Sequence, residues 1–370
     1  MKLNVFGSVT GETGYDSHAR QLIEALDIAG ADVHVETSLA RMWDRNPHLS
    51  DRLIKIIKKG PSIRSPTVMI AQPVFWPLKL SDRPEKFYGF LVWEGNVLPQ
   101  GWTEICNDPR VDKVLVPSKH TWDAAVKSGV EQSKLLLIPH GVNADLFKPS
   151  EPKGGFTKLK DPNRCCFVFN KGWANGVNDR SGFDILLKAY QEEFKKEDPV
   201  RLLAHINQAY NQPGWNFGLE IQRVGCAIDG PQLVHVSDQM PYDRLPDLYN
   251  CADYVVSASK AEAFNLTVLE GMSCGLVPIV PNTGGELDYV KEDFGIIYGN
   301  EGEIPATGGV IYEGVKWKLP SKAELRKALR RAFETWRERK QELEQMKKTS
   351  RAAAEKMQWT DSARTFLKGI

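Results

Sequence analysis

Two glutamates, Glu262 and Glu270, stand eight positions apart in the segment KAEAFNLTVLEGMSCGLVPIVPNTGG, residues 260–285. The first follows a strand-like run, DYVVSAS, and the second lies in a run that predicts a helix ending at Gly275. An ionised carboxylate only accepts hydrogen bonds, and one carboxylate can accept both hydroxyls of a vicinal diol. The pair could therefore hold two diols of one elongated ligand. The alternative for Glu270 is a carboxylate in the N-terminal half of a helix, stabilised by the helix dipole.

A glycine-rich turn follows the first predicted strand. The segment GSVTGETGYDSHA places Gly7, Gly11 and Gly14 ahead of a predicted helix, where backbone N–H groups can approach an anion such as a phosphate. The segment lacks the Gly-Lys-Ser/Thr step of a P-loop and the full G-x-G-x-x-G pattern of a dinucleotide fold. A phosphate site and a plain strand-to-helix turn both remain open.

These segments lie in a chain that alternates short strand-like runs with longer helical patterns. The alternation predicts an α/β fold of two Rossmann-like, doubly wound parallel-sheet domains, joined through the Pro-, Gly- and Lys-rich stretch FKPSEPKGGFTKLKDPNR. We expect domains at residues 1–150 and 151–349. Ligands of such sheets bind beyond the carboxyl ends of the strands, so chemistry is expected in a cleft between the domains.

Composition narrows the class of protein. The 370 residues are 42% hydrophobic and 26% charged, with a formal net charge of +1, which is typical of a soluble globular protein and gives no reason to expect nucleic acid as a partner. The six cysteines form no C-x-x-C pair, so reduced core thiols are expected rather than disulfides or a zinc site. No run approaches the ~18 apolar residues of a membrane-spanning helix, and a cytoplasmic location is expected.

Several motifs together resemble glycosyltransferase family 4, the retaining, sugar-nucleotide-dependent enzymes of GT-B fold. They are VPSKHTWDAAVKSGV, LLLIPHGVNADLFKP and the segment from MPYDRL to PNTGG. The most specific part is a Glu, seven residues, Glu motif followed by a Gly-x-Pro step at Gly275 and Pro278. The resemblance implies two Rossmann-like domains facing a cleft, with a C-terminal helix at 350–370 returning to the N-terminal, acceptor-binding domain.

The resemblance also implies roles for individual residues. Glu262 would lie beside the donor sugar, and Glu270 would hold the ribose diol of the nucleotide. Backbone N–H groups would approach the sugar or the distal phosphate; these belong to Gly14, Phe264, Asn265 and Leu266.

In the family an Arg and a Lys neutralise the donor diphosphate without a metal ion. Arg180 matches the start of the usual Arg-Lys-Gly step, but Ser181 stands where the Lys is expected. Lys171, just after the strand-like CCFVFN, could supply the second charge and stabilise the leaving diphosphate. The alternative for Lys171 is a surface loop lysine.

Two features of the first domain bear on the sugar and the acceptor. Where many family members have a His, this chain has FLVWEGNVLPQGW, so Trp93 and Glu94 are candidates for contact with a sugar, with a core position as the alternative for Trp93. Residues 51–64, DRLIKIIKKGPSIR, predict a basic amphipathic helix. Either it packs its isoleucines on the core, or it makes a peripheral contact with the cytoplasmic membrane face.

The resemblance thus implies a metal-independent retaining glycosyltransferase without a cofactor. It would move a hexose of glucose or mannose type from a UDP- or GDP-sugar to an acceptor hydroxyl on a glycan, a lipid-linked glycan or a small molecule. A catalytically silent sugar-nucleotide or glycan-binding subunit and a nucleotide-sugar epimerase of the same fold are the alternatives. Base, sugar, acceptor and oligomeric state are left open.

Overall fold

The computed structural model describes residues 1–11, 13–37, 49–62, 64–174, 176–207, 214–227, 229–237 and 240–370. The chain divides into two compact units. Unit 1 comprises Met1–Asn143, Val310–Lys316 and Met357–Ile370, and unit 2 comprises Ala144–Gly309 and Trp317–Lys356. Each unit contains a six-stranded parallel sheet, which confirms the predicted α/β class with two doubly wound sheets.

Unit 1 is built on strands that follow one another in the order β2-β1-β3-β4-β5-β6. The strands are β1 (Lys2–Gly7), β2 (Asp32–Thr37), β3 (Thr67–Ile70), β4 (Phe87–Phe90), β5 (Lys113–Val116) and β6 (Leu135–Leu137). The helices of its first segment are α1 (Gly14–Ile28), α2 (Asp51–Lys58), α3 (Trp76–Leu80), α4 (Trp102–Cys106) and α5 (Lys119–Lys127).

Unit 2 carries the second sheet, in the order β12-β11-β10-β7-β8-β9. Its strands are β7 (Cys165–Gly172), β8 (Val200–Asn207), β9 (Leu233–Val236), β10 (Tyr254–Val256), β11 (Val277–Pro281) and β12 (Ile296–Tyr298), with a separate pair formed by β13 (Asn300–Pro305) and β14 (Lys316–Pro320). Its helices are α6 (Phe183–Glu193), α7 (Phe217–Arg223), α8 (Leu245–Tyr249), α9 (Leu266–Ser273), α10 (Lys322–Glu338) and α11 (Lys340–Ala354). The last helix, α12 (Trp359–Gly369), belongs to unit 1 and packs against α1.

The order of strands in unit 2 reverses between β7 and β10. Strands β8 and β9 extend the sheet on one side of β7, while β10, β11 and β12 extend it on the other. The crevice at such a switch point, beside the loops that follow the two central strands, is the usual ligand site of an open parallel sheet.

The cores are apolar on both faces of the sheets, as crossover helices require. In β7 the successive residues Phe167 and Val168 point to opposite faces and are both fully buried, and burial raises the pKa of the Cys165 thiol well above its ordinary value. All six cysteines are buried free thiols, as predicted.

Helix α2 is short and sits on the core through Leu53 and Ile56, which are 1% and 2% exposed. Two cations of this segment are paired, Arg52 with Asp27 at 2.5 Å and Lys59 with Asp32 at 3.1 Å. Ile63, in the predicted 51–64 segment, lies outside the described residues. Contact of this segment with a membrane stays a prediction. No helix among the described residues is long and apolar enough to cross a membrane.

Candidate functional site

A cluster of charged side chains lies at the switch point of the unit 2 sheet. Lys171 is the seventh residue of the eight-residue strand β7, and Glu262 lies in the loop between β10 and α9. Because parallel strands end at the same edge of a sheet, these two loops meet there.

Glu262 forms ion pairs with both predicted cations. Lys171 Nζ lies 2.7 Å from Glu262 Oε1, and an Arg180 guanidinium nitrogen lies 3.2 Å from Glu262 Oε2. The side chains of Lys171 and Glu262 are only 9% and 13% exposed, whereas that of Arg180 is 38% exposed. Burial alone would raise the pKa of Glu262, but the Lys171 ammonium and the Arg180 guanidinium outweigh it and hold that pKa well below its usual range. The structure therefore brings the three predicted catalytic residues together.

Close backbone packing fixes the segment that carries Arg180. The Lys260 N–H donates to the Arg180 carbonyl at 2.9 Å, and the Arg180 side chain donates to the Ala261 carbonyl at 2.7 Å. Two residues further on, Gly182 has φ = 65°, and a Cβ there would lie 1.9 Å from the Ala258 carbonyl oxygen. Only glycine allows this approach, so Gly182 sets the position of Arg180 beside Glu262.

Helix α9 starts at the site, as the motif predicts. Its first residue is Leu266, and the first N–H groups of a helix have no acceptor within the helix. The Tyr289 hydroxyl lies 3.0 Å from the Phe264 carbonyl oxygen and 2.6 Å from that of Asn265. The predicted glycine Gly275 follows the end of α9 with φ = 88°. The segment whose N–H groups were predicted to face the donor is thus held in one conformation.

Glu270, the fifth residue of α9, is 3% exposed and lies at the end of a buried hydrogen-bond chain. The Tyr249 hydroxyl donates to Glu270 Oε2 at 3.0 Å and accepts from Asn170 Nδ2 at 2.9 Å. Asn170 Oδ1 in turn lies 2.7 Å from His205 Nδ1. Burial raises the pKa of Glu270 to about 7, although the hydroxyls of Tyr249 and Tyr242 oppose the shift. Its ionisation is therefore poised near neutral pH.

Sequence reasoning missed Glu286, which is fully buried close to Glu262. Asn265 Nδ2 donates to Glu286 Oε1 at 3.2 Å, and Glu286 Oε2 has no hydrogen-bond partner among the described residues. Burial, followed by the negative charge of Glu262, raises the pKa of Glu286 to about 8. One sequence feature could have indicated Glu286: a carboxylate directly after Gly284 and Gly285, in the loop that follows β11 at the same edge of the sheet.

The glycine-rich loop of unit 1 is held by buried charged residues. Asp16 closes a capping box with Thr13, accepts from the Ser8 hydroxyl and from the Gly11 N–H at 3.0 Å, and is 1% exposed. Arg20 donates to two loop carbonyls, those of Val9 and Gly11, at 3.0 and 2.7 Å. Gly14 is the first residue of α1, and a Cβ at Gly14 would meet no atom within 4 Å. Contact of Gly14 with the donor stays a prediction.

Trp93 and Glu94 occupy different environments. Trp93 is 1% exposed, donates from Nε1 to the Val97 carbonyl at 2.7 Å and stacks on Tyr312 with ring centroids 5.3 Å apart. Trp93 is therefore a core residue, which was the alternative to sugar contact. Glu94 is half-buried and accepts from the Tyr312 hydroxyl at 2.6 Å; its contact with a sugar stays a prediction.

No group of three or more metal-ligating side chains is arranged to hold a metal ion in the described part of the chain. Metal independence stays a prediction.

Comparison with known proteins identifies the relatives of this site. The family model for glycosyl transferases group 1 matches residues 229–307, which include both motif glutamates and Glu286. The chain is 24% identical over 167 residues to a D-inositol 3-phosphate glycosyltransferase of Acidothermus cellulolyticus. It is 28% identical over 125 residues to a GDP-Man:Man(3)GlcNAc(2)-PP-Dol alpha-1,2-mannosyltransferase of Yarrowia lipolytica.

The alignments with these curated relatives are partial. They cover 44% and 34% of this chain, and 36% and 20% of the two relatives. The chain thus matches about a third or less of the length of each. The predicted resemblance to this glycosyltransferase group is nonetheless confirmed.

Solved structures extend the likeness to the whole fold. A sucrose-phosphate synthase from Thermosynechococcus elongatus aligns with a TM-score of 0.69 at 15% identity, over 100% of this chain and 98% of that one. The Anabaena protein HepE in complex with UDP-glucose aligns with a TM-score of 0.69 at 15% identity, over 100% and 99% of the two chains. At this identity the likeness concerns the fold, and the predicted GT-B class is confirmed.

Proposed function

We propose that this chain, whose residues 229–307 match the glycosyl transferases group 1 family, is a retaining glycosyltransferase. It moves a hexose of glucose or mannose type from a nucleoside diphosphate sugar to an acceptor hydroxyl, without a metal ion. The observation that carries the proposal is the meeting of Lys171 and Arg180 on the two carboxylate oxygens of Glu262, at 2.7 and 3.2 Å, at the switch point of the unit 2 sheet.

The two cations are suited to a leaving diphosphate. Glu262 pairs with both of them, so their charges are compensated within the cluster. A donor diphosphate offers them more negative charge than one carboxylate, and Arg180, with its side chain 38% exposed, is the more accessible of the two cations. Lys171 can supply the charge that a lysine at position 181 would bring. It extends from the end of β7 and contacts Glu262, the same carboxylate that Arg180 contacts.

Retention of configuration is proposed from the state of Glu262. Both of its oxygens are engaged by cations and its pKa is lowered, so it is a weak nucleophile. In the proposed step the bond from the sugar C1 to the diphosphate oxygen breaks, and the acceptor oxygen bonds to C1 on the same face. The acceptor proton passes to the departing phosphate oxygen, whose charge Lys171, Arg180 and the first N–H groups of α9 stabilise.

Glu270 is the proposed partner of the ribose diol. Its ionised carboxylate would accept both ribose hydroxyls, while the Tyr249 hydroxyl, itself held by Asn170, fixes the orientation of the carboxylate. Eight positions along the chain separate Glu270 from Glu262, so the motif spans the donor from its nucleoside to its sugar.

The relatives suggest which donors to try first. The HepE structures contain UDP-glucose, or UDP and glucose, and the Yarrowia relative is named for GDP-mannose. A panel of UDP-glucose, UDP-N-acetylglucosamine, GDP-mannose and GDP-glucose therefore covers the donors in reach of the proposal.

The test incubates the purified chain with each donor, with and without acceptors that include inositol phosphate, simple glycans and a lipid-linked glycan. We expect release of nucleoside diphosphate that depends on an acceptor, and a product with the anomeric configuration of the donor. A rise in melting temperature with a nucleotide but no release with any acceptor would instead favour the silent subunit. Isomerisation of the donor without an acceptor would favour the epimerase.

A further inference from the structure

The side-chain amide of Asn265 is fully engaged at the centre of the site. Its Oδ1 accepts from Lys171 Nζ at 2.8 Å and from the Thr267 hydroxyl at 3.0 Å. Its Nδ2 donates to Ser257 Oγ at 3.1 Å and to Glu286 Oε1 at 3.2 Å. Asn265 is 5% exposed, so these four contacts define which end of the amide faces Lys171.

The backbone of Asn265 directs this amide into the cluster. Asn265 caps α9 with φ = 71° and ψ = 66°, and its side chain makes no capping hydrogen bond to the helix. Glycine is the ordinary residue in this left-handed region, and asparagine is among the few others that tolerate it. The side chain is therefore available to bind neighbours in the site rather than the helix backbone.

Among these four contacts, the one with Glu286 selects the end of the amide that carries the NH₂ group. An acceptor beside Nδ2 leaves only Oδ1 to face the Lys171 ammonium, because a flipped amide would set its NH₂ group against that cation and its oxygen against Glu286. Glu286 reaches Asn265 because the preceding loop packs closely. The Gly285 N–H donates to the Glu262 carbonyl at 2.9 Å, and a Cβ at Gly285 would lie 2.1 Å from the Ala263 carbonyl oxygen.

We propose that Asn265 and Glu286 are positioning residues of this site: Glu286 orients the Asn265 amide, and the amide oxygen fixes the Lys171 ammonium beside Glu262. The inference rests on the proposed function for its catalytic consequence, since a fixed Lys171 is the cation that receives the leaving diphosphate. Neither side chain touches the reacting atoms in this scheme. They act through Lys171.

The protonation state of Glu286 affects the position of Lys171. Four ionisable groups face the Glu286 carboxyl. They are Lys171 near the end of β7, Glu262 after β10, Tyr289 three residues after Glu286, and Tyr298 at the end of β12. The Lys171 ammonium already pairs with the Glu262 carboxylate. A neutral Glu286 therefore keeps a second negative charge out of the cluster. Ionisation above pH 8 would draw Lys171 away from the diphosphate.

Two variants separate the parts of the inference. Asn265→Gly keeps the left-handed backbone and removes only the amide, so kcat should fall roughly ten- to a hundredfold with little change in the KM for the donor. Glu286→Gln retains an acceptor for Asn265 Nδ2 and no charge, so its kcat at pH 7 should lie within about threefold of the wild type. Thr335→Val in α10, which removes a buried hydroxyl with its own hydrogen bond to the Arg331 carbonyl, is the matched control and should also stay within about threefold.

The pH profile is the readout that a purely structural role would not change. In the wild type a group with a pKa of about 8 is about nine-tenths protonated at pH 7 and about one-tenth protonated at pH 9, so kcat should fall about tenfold between these values. Glu286→Gln should lose this alkaline decline. An unchanged decline in Glu286→Gln, or an Asn265→Gly enzyme with wild-type kcat, would overturn the inference.

A measurement without turnover keeps this inference distinct from the proposed function. In lysine-labelled protein, the side-chain NMR signal of Lys171, assigned with Lys171→Arg, should shift between pH 7 and 9 in the wild type and not in Glu286→Gln. It should move toward the position of a mobile lysine in Asn265→Gly. A Lys171 signal identical in all three proteins refutes the positioning of Lys171, whereas these shifts without turnover of any donor refute the proposed function alone.

Discussion

The affinity for nucleoside diphosphates should rise with pH between 6 and 8, because Glu270 must be ionised to accept the ribose hydroxyls. Burial raises the pKa of this carboxyl to about 7 in the free protein, so a large share of the molecules carry a proton there at neutral pH. A protonated carboxyl uses one oxygen as a donor and cannot accept both hydroxyls in the same way. Binding should therefore release a proton below pH 7.

The magnitude follows from the ionised fraction. With a pKa of about 7, Glu270 is about one-tenth ionised at pH 6 and about nine-tenths ionised at pH 8. If only the ionised form binds the ribose diol, the apparent dissociation constant varies inversely with that fraction. Affinity should then increase about tenfold from pH 6 to pH 8, or about 1.4 kcal/mol, and level off above pH 8.

Isothermal titration calorimetry with UDP and GDP at pH 6, 7 and 8 measures this dependence. Buffers with different ionisation enthalpies report the proton release directly. Glu270→Gln is the control, because its carboxamide does not titrate and its remaining pH dependence belongs to the nucleotide phosphates and other groups. The wild type should be steeper than Glu270→Gln by the factor of about ten, and it should bind more tightly at pH 8. Equal slopes in the two proteins, or equal affinities at pH 8, would refute the assignment of Glu270 to the ribose.

Two further predictions concern stability. Gly182→Ala should lower the free energy of unfolding by about 3 kcal/mol or more, because its Cβ would lie 1.9 Å from the Ala258 carbonyl oxygen at φ = 65°. Gly225→Ala, at φ = 78° with no atom within 4 Å of its Cβ, is the control and should cost only about 1 kcal/mol. Similar losses for the two variants in urea denaturation would contradict a steric clash at Gly182. Burial and the neighbouring His140 hold the pKa of His18 well below its ordinary value, so the unfolded chain binds a proton below pH 6.5 that the folded chain does not, and stability falls as the pH falls. His18→Leu should therefore lose less melting temperature between pH 7 and pH 5 than the wild type, and parallel losses would count against this assignment.

Local patterns were sufficient for the fold class and for the motif glutamates. Buried runs such as CCFVFN alternate with helical periodicity, and this predicts parallel strands with crossover helices. The position of Glu262 after β10 and of Glu270 inside α9 follows from the same periodicity and from Gly275 as the helix terminator.

Tertiary contacts decided what the pattern left open. Lys171 could have been a surface lysine, and only the pairing of β7 with β10 brings it to Glu262. Glu286 was missed because its part depends on the left-handed conformation of Asn265 and on the close approach of Gly285. The two glycines before Glu286 indicate a turn in the sequence, but they do not reveal which side chain Glu286 contacts.

In unit 1, too, the sequence pattern could not predict a contact between distant residues. Trp93 is in the core because Tyr312, more than 200 positions away, stacks on its ring. Tyr312 lies in the segment 310–316, which belongs to unit 1. A Trp-Glu pair at the end of a predicted strand does not reveal which of the two side chains is covered.

The central claim is that Lys171 stabilises a leaving diphosphate at the carboxyl edge of the unit 2 sheet. Its most direct test is the kcat for donor turnover by Lys171→Met beside the wild type, with the melting temperatures of both proteins recorded to confirm that they are folded. We expect a folded variant whose kcat is lower by about a hundredfold or more, as for the loss of one charge-stabilising donor in a closed site. A folded Lys171→Met protein that turns over the donor at the wild-type rate would contradict the account.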